Sequence, residues 1–175
     1  MKYRSLWKPL DRAELPLLEY VRRVRRMGAA DRAAGAITHA AEHGLVWYLI
    51  AGLAAWRDER RREQWVAAAG KVALIYGINT LLKLVARRQR PPIAELGTPT
   101  ALSFPSSHAA TSFAAARLYG DLVPAARPLL LVAATGVSST RLHFMVHYPS
   151  DIVAGALLGD ATARLLSPQQ QEKLR

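Results

Sequence analysis

The chain contains no cysteine. That excludes a disulfide framework, thiolate chemistry and a zinc ribbon, and leaves the redox compartment undecided. It also has no apolar run of 18 or more residues free of charge, the usual mark of a membrane helix. No internal repeat and no low-complexity tract is present, so neither a repeat array nor a biased tail accounts for it. The first apolar stretch begins late and the N-terminus is charged throughout, so no secretory signal peptide is expected. With 175 residues there is room for one domain around one core.

What is present is basic and apolar at once. Lys and Arg number 24 against 13 Asp and Glu, a formal net charge of +11, and 51% of the residues are hydrophobic. Such a charge favours a polyanionic partner: phosphate groups, anionic lipid headgroups or nucleic acid. Hydropathy alone leaves a soluble helical bundle as open as a membrane one. Residues 1–32 carry Lys2, Arg4, Lys8, Arg12, Arg22, Arg23, Arg25, Arg26 and Arg32. Leu15, Leu17, Leu18, Val21 and Val24 recur among them at roughly helical spacing, which reads as an amphipathic helix on an anionic membrane surface.

Five apolar segments follow, near 33–56, 65–86, 105–123, 126–142 and 149–166. They are dominated by Ala, Gly, Ser and Thr, which suits close helix packing in a bilayer. Pro91, Pro92, Pro99, Pro124, Pro128 and Pro149 fall at or near segment ends, where proline does least harm. The expected fold is all-α: an integral-membrane bundle of about five transmembrane helices with an N-terminal interfacial helix. The expected division is a basic segment over 1–32, a core over 33–167 and a polar tail over 168–175. Run up and down, the five segments put Lys71, Arg117, Asp121, Asp160 and Arg164 toward one face. Arg117 with Asp121 and Asp160 with Arg164 are four apart and can pair on a helix surface.

The other face gathers three clusters from separate regions: Lys83 with Arg87, Arg88, Arg90 and Pro91; Ser103 through His108; and Thr140, Arg141, His147 and Asp151. Phosphoryl transfer needs fixed positive donors on the equatorial oxygens of the transition state. Lys83, Arg90 and Arg141 can supply them, the arginines in bidentate fashion. Ser103 before Phe104 and Pro105 reads as a helix N-cap, with the N–H groups of Ser106, Ser107 and His108 in the first turn, where anions bind readily. With this positive charge already in place, no metal and no cofactor is expected. His147 can attack phosphorus while Asp151 accepts a hydrogen bond from its other ring nitrogen. His108 can protonate the leaving oxygen and then activate water.

The spacings Lys-x6-Arg-Pro, Pro-Ser-x-His and Arg-x5-His-x3-Asp stand here as KLVARRQRP (83–91), PSSH (105–108) and TRLHFMVHYPSD (140–151). Together they resemble the three-part signature of the phosphatidic acid phosphatase type 2 superfamily. The resemblance implies an all-helical membrane core and metal-independent hydrolysis of phosphate esters or anhydrides of lipids. It also implies the roles above for Lys83, Arg90, Ser106, His108, Arg141, His147 and Asp151. Three departures stand out. Ser107 occupies a position that is usually glycine, where its hydroxyl adds a donor or crowds the site. Thr140 replaces a usual serine, and five spans are counted where six are common.

His39, Glu42 and His43 share a helix face, a polar face of the bundle more than a metal site, because ligands are missing. His143 falls within the third motif without a fixed role, at most on the site rim. Trp47, Trp56 and Trp65 read as interfacial anchors or core. The basic N-terminus puts that end in the cytoplasm of a bacterial plasma-membrane protein, and an odd span count then turns the site to the cytoplasm. The expected partners are a lipid-phosphate substrate and anionic lipids, with no nucleic acid. This short Ala/Arg-rich version is similar to actinobacterial members of the family. That similarity implies a polyprenyl-linked sugar phosphate as substrate, decaprenylphosphoryl 5-phosphoribose in cell-wall synthesis. A polyprenyl pyrophosphate, phosphatidic acid or phosphatidylglycerol phosphate is the alternative. Vanadate haloperoxidases share the architecture, but 175 residues leave no room for their extra helices. A non-catalytic basic module would not explain the fixed spacings.

Overall fold

The structure, a computed structural model, describes residues 6–25 and 28–167. Lys2, Arg4, Arg26 and the tail over 168–175 lie outside the described residues. The helices in order are α1 (Lys8–Val24), α2 (Ala29–Ala40), α3 (Leu45–Arg57), α4 (Arg62–Ala86), α5 (Ser107–Leu122), α6 (Arg127–His143) and α7 (Pro149–Leu166). Short 3-10 turns precede α3, α4 and α6. Proline sits in the first two positions of α1, α6 and α7, where its fixed φ fits a helix and its missing N–H has no intrahelical acceptor to lose.

Helix α5 is the axis of the core. Its Ala109, Ala110, Ala114, Ala115 and Ala116 are fully buried against α4, α6 and α7. Small side chains let the backbones come close, and on α7 two glycines complete the approach. A Cβ on Gly155 would overlap the Ser106 carbonyl oxygen, and one on Gly159 the Ala110 carbonyl oxygen. Aromatic groups close the rest. The Trp47 indole N–H donates to the Ser112 hydroxyl (2.9 Å), and the Tyr119 hydroxyl donates to the Trp47 carbonyl (3.0 Å). Trp65 packs edge-on against Tyr119, with ring centroids 5.5 Å apart. Trp47 and Trp65 are thus core residues, whereas Trp56 is 70% exposed.

Four of the five charges expected at one end of the bundle pair there. Arg117 meets Asp121 at 3.5 Å and Arg164 meets Asp160 at 2.8 Å. Arg61 donates to the Leu122 carbonyl (2.6 Å), and Ser167 donates to Asp121 (3.2 Å), which joins the α3–α4 turn, the end of α5 and the end of α7.

The apolar stretch 33–56 corrects the expectation of one continuous helix. It breaks at the Glu42–Gly44 turn, where His43 (φ 52°) and Gly44 (φ 84°) take left-handed backbone. Two such residues in succession end a right-handed helix. Glycine adopts this conformation freely, while His43 is held there through Nδ1, 2.7 Å from the Tyr76 hydroxyl. Among the described residues, Glu59–Ala86 is the one helical stretch long and apolar enough to cross a membrane. Helices α3, α5, α6 and α7 have 13, 16, 17 and 18 residues, fewer than the roughly 20 of an independent span.

Helix α1 docks on the opposite end of the bundle. Leu18 is buried against Met145, Tyr148, Ile93 and Leu142. The Trp7 indole N–H donates to the Ala86 carbonyl (2.9 Å), and its ring packs on Phe104. Leu10, Leu17, Tyr20 and Val24 of the same helix remain exposed.

Candidate active site

One cavity at the α1 end is lined by Lys83, Arg90, Ser107, His108, Arg141 and His147, so residues from all three sequence clusters meet. They arrive on five different elements. Lys83 comes from the last turn of α4, Arg90 from the α4–α5 connection and Ser107 and His108 from the first turn of α5. Arg141 comes from the end of α6, and His147 from the short loop between α6 and α7. The connection after α4 is held in place by Ser103 N–H to Arg88 carbonyl (2.8 Å) and Arg90 N–H to Ala101 carbonyl (3.1 Å).

Hydrogen bonding fixes the tautomer of His147. Its Nδ1 lies 3.3 Å from Asp151 Oδ2, and its Nε2 lies 3.1 Å from an Arg90 terminal nitrogen. A guanidinium has donors and no acceptor, so Nε2 must be the lone-pair nitrogen and Nδ1 must carry the proton toward Asp151. The imidazole pKa sits well below its ordinary value. Burial disfavours the charged ring, and Arg90, Lys83, Arg141 and His108 add to that effect. The ring is therefore neutral, with its unprotonated nitrogen turned to the cationic cavity.

The cations are anchored by backbone carbonyls. Lys83 Nζ donates to the Ser103 carbonyl (2.9 Å), and Arg90 donates to Val146 (2.6 Å) and Thr100 (2.9 Å). Burial lowers the Arg90 pKa, but a guanidinium stays charged. Arg141 donates to the Thr38 hydroxyl, and its buried Nε has no hydrogen-bond partner. That orphan donor belongs beside an anion. His108 Nε2 donates to the Thr38 carbonyl (3.1 Å), so Thr38 of α2 orients both His108 and Arg141.

Three sequence expectations change here. Ser106, and not Ser103, is the N-cap of α5: its hydroxyl accepts the Ala109 N–H at 3.5 Å. Ser103 is buried and donates to the Gln89 carbonyl instead (3.1 Å). The Ser106 N–H is also taken, by the Asp151 carbonyl (3.0 Å), which leaves the Ser107 and His108 N–H groups as the first-turn donors without an intrahelical acceptor. The Ser107 hydroxyl does not crowd the cavity, because it donates to Asn79 Oδ1 (2.6 Å) one turn before Lys83.

The remaining residues divide clearly. His143 is bonded to Asp31 of α2 (2.6 Å) and does not line the cavity. Glu42 and His43 do line it, because the helix break turns them inward; Glu42 lies 3.8 Å from His108 Nε2. Among the described residues no three His, Cys, Asp or Glu side chains cluster so as to hold a metal ion.

Arg88, which the sequence placed in the first cluster without a role, is as fully buried as Asp151. Its side chain is fully buried and donates to Asp151 Oδ1 (2.7 Å), Ser150 Oγ (2.6 Å), Asp11 Oδ1 (2.9 Å) and Glu14 Oε2 (2.7 Å). Its guanidinium carbon lies 4.0 Å from the Tyr148 ring centre, a cation–π contact. Burial opposes its charge, but the carboxylates of Asp151, Glu14 and Asp11 outweigh that and raise its pKa. The available signal was an acidic pair three residues apart, Asp11 and Glu14, inside a strongly basic segment.

The PAP2 superfamily profile matches residues 64–175. A decaprenylphosphoryl-5-phosphoribose phosphatase from Mycobacterium tuberculosis is 38% identical over 140 residues, which covers 78% of this chain and 77% of the relative. Its namesake from Mycolicibacterium smegmatis is 36% identical over 126 residues, covering 70% and 69%. In fold, the chain is similar to the crystal structure of a transmembrane PAP2-type phosphatidylglycerolphosphate phosphatase from Bacillus subtilis. The TM-score is 0.74 at 20% identity, over 95% of this chain and 88% of that one. The chain belongs to the PAP2 superfamily and is a lipid phosphatase.

Proposed function

We propose that this phosphatase hydrolyses a phosphate monoester on a polyprenyl-linked sugar, through a phosphohistidine at His147 and without a metal. The observation that carries the mechanism is the His147 geometry: a neutral ring with Nε2 unprotonated, facing a cavity lined by three cations. Lys83, Arg90 and Arg141, with the Ser107 and His108 N–H groups, bind the phosphate oxygens, and Ser106 holds that helix start in place. His147 Nε2 forms a bond to phosphorus as the ester P–O bond breaks, and His108 delivers a proton to the leaving oxygen. The incoming phosphate supplies the negative charge that favours the protonated form of His108. His108 then takes a proton from water as its oxygen bonds to phosphorus and the N–P bond breaks. The phosphoribose lipid named for the two mycobacterial relatives supports the choice of substrate. Hydrolysis of it would place the enzyme in cell-wall precursor synthesis. A polyprenyl pyrophosphate is the second reading.

Helices α3 to α7 form the membrane-spanning bundle in this reading. Leu49, Leu53, Leu74, Leu81, Val132 and Leu157 are exposed on its outside, a surface that suits lipid tails. Helix α1 lies at the interface on the site's side, and its basic residues face anionic headgroups. The site opens to the cytoplasm.

Phosphate release by the purified enzyme, across polyprenyl sugar phosphates, polyprenyl pyrophosphates and glycerolipid phosphates, tests this reading. The phosphoribose lipid is expected to be turned over best, with no loss in EDTA. His147→Ala should lower turnover on the order of 10³-fold or more. Loss of turnover in EDTA that a divalent ion restores would overturn the metal-free mechanism. Preference for a pyrophosphate would overturn the substrate assignment.

A further inference from the structure

We infer that helix α1 is a working part of the catalytic centre: Asp11 and Glu14 hold Arg88, and Arg88 is the positioning residue that fixes Asp151 against His147. The inference rests on His147 being the nucleophile. It extends the site to a helix that lies outside the residues matched by the family profile.

The two oxygens of Asp151 have different partners. Oδ2 accepts the Tyr148 N–H (2.9 Å) and faces His147 Nδ1 (3.3 Å), while Oδ1 accepts from Arg88 (2.7 Å). These two close partners set the carboxylate plane; the Ser103 hydroxyl also interacts with Asp151, and among the described residues Arg88 is the charged side chain that bonds it. Rotation of that plane would carry Oδ2 away from Nδ1 and release the His147 tautomer.

Arg88 cannot do this alone. A fully buried guanidinium paired with one buried carboxylate would bind it as a tight ion pair. Asp151 would then have little charge left to stabilise a cationic His147. Asp11 and Glu14 change that balance, because they take Nε and the second terminal nitrogen of the same guanidinium. The cation is shared by three carboxylates, and Asp151 keeps negative character for the imidazole. Glu14 also fixes the other side of the joint. Its Oε1 accepts the Ser150 N–H (2.7 Å) and its Oε2 the Ser150 hydroxyl (2.8 Å), in the first turn of α7 that carries Asp151. Helix α1 thus grips both Arg88 and the helix start beside the catalytic carboxylate. A role confined to anchoring α1 would not require these acids to converge on the one arginine that touches Asp151.

The test uses the full chain in detergent with a lipid phosphate that the wild type turns over. Asp11→Asn combined with Glu14→Gln keeps shape and hydrogen-bonding size while removing both charges. This variant is expected to lower kcat about 10- to 100-fold with KM nearly unchanged, as for a small misplacement of the nucleophile. In ¹⁵N spectra, His147 should move from one tautomer to a mixture. The conservative Asp11→Glu change should recover part of kcat. Arg88→Lys should behave like the double variant, because an ammonium lacks the fork that reaches three carboxylates. Wild-type kcat with an unchanged His147 spectrum in the double variant would overturn the inference. So would a loss of thermal stability with kcat per folded enzyme unaltered. His147→Ala, run alongside, separates the two claims: if it stays active, the nucleophile assignment itself fails.

Discussion

Arg90 and His147 illustrate how the site holds an imidazole with one nitrogen unprotonated, as the proposed attack requires. Burial and three neighbouring cations keep the imidazole neutral at pH values where an ordinary histidine, with a pKa of about 6.5, would begin to protonate. Arg90 is the first of those charges, so Arg90→Gln should raise the His147 pKa, and the ring should take up its proton at a higher pH than in the wild type. A ¹⁵N titration of histidine-labelled protein reads this directly; an unchanged titration would mean that the Arg90 charge does not contribute to the shift. That these residues meet was legible beforehand because they stand at fixed, short spacings: Arg141, His147 and Asp151 fall within one loop and two helix ends. Their supports were not. Asp11 and Glu14 reach Arg88 across 77 and 74 positions, and Thr38 reaches Arg141 across 103. No local pattern encodes a partner at that distance. Ser103 was misread for a related reason. A serine before Phe-Pro looks like a cap, but the chain continues to Ser106 before α5 begins, and Ser103 serves the connection instead.

Packing of α5 against α7 fixes the distance between His108 and the Asp151 pair, because both stand on the first turns of these helices. The contact depends on Gly155 and Gly159, where an added methyl would run into backbone carbonyls that have no room to withdraw. Gly159→Ala should therefore cost about 1–3 kcal/mol, seen as a lower melting temperature. Gly70→Ala on α4, where nothing stands within 4 Å, should be neutral or slightly stabilising through better helix propensity. Equal effects at the two positions would show that the α5–α7 contact is looser than described. The same scale explains the broken first segment. Its composition reads as one apolar helix, and only tertiary context reveals the left-handed pair His43 and Gly44, tied to α4 through Tyr76. The break is what brings Glu42 and His43 to the cavity, so their shared helix face in the sequence was the right observation attached to the wrong geometry.

For the whole molecule, the arrangement puts α1 and the site at one end and the α3–α4 and α5–α6 turns at the other. The proposed five crossings then place the N-terminus and the site on the cytoplasmic side and the end of α7 outside. A reporter fused after Arg175 that is active only in the cytoplasm should be silent; activity there would reverse the proposed facing or change the number of crossings. The central claim, that His147 accepts the phosphate, is tested most directly by rapid-quench trapping with a ³²P-labelled lipid phosphate, followed by peptide mapping. An acid-labile, alkali-stable phosphate on the peptide that carries His147 is expected, formed before free phosphate appears and absent in His147→Ala. Label on His108, or free phosphate released with no phosphoprotein preceding it, would contradict the nucleophile assignment.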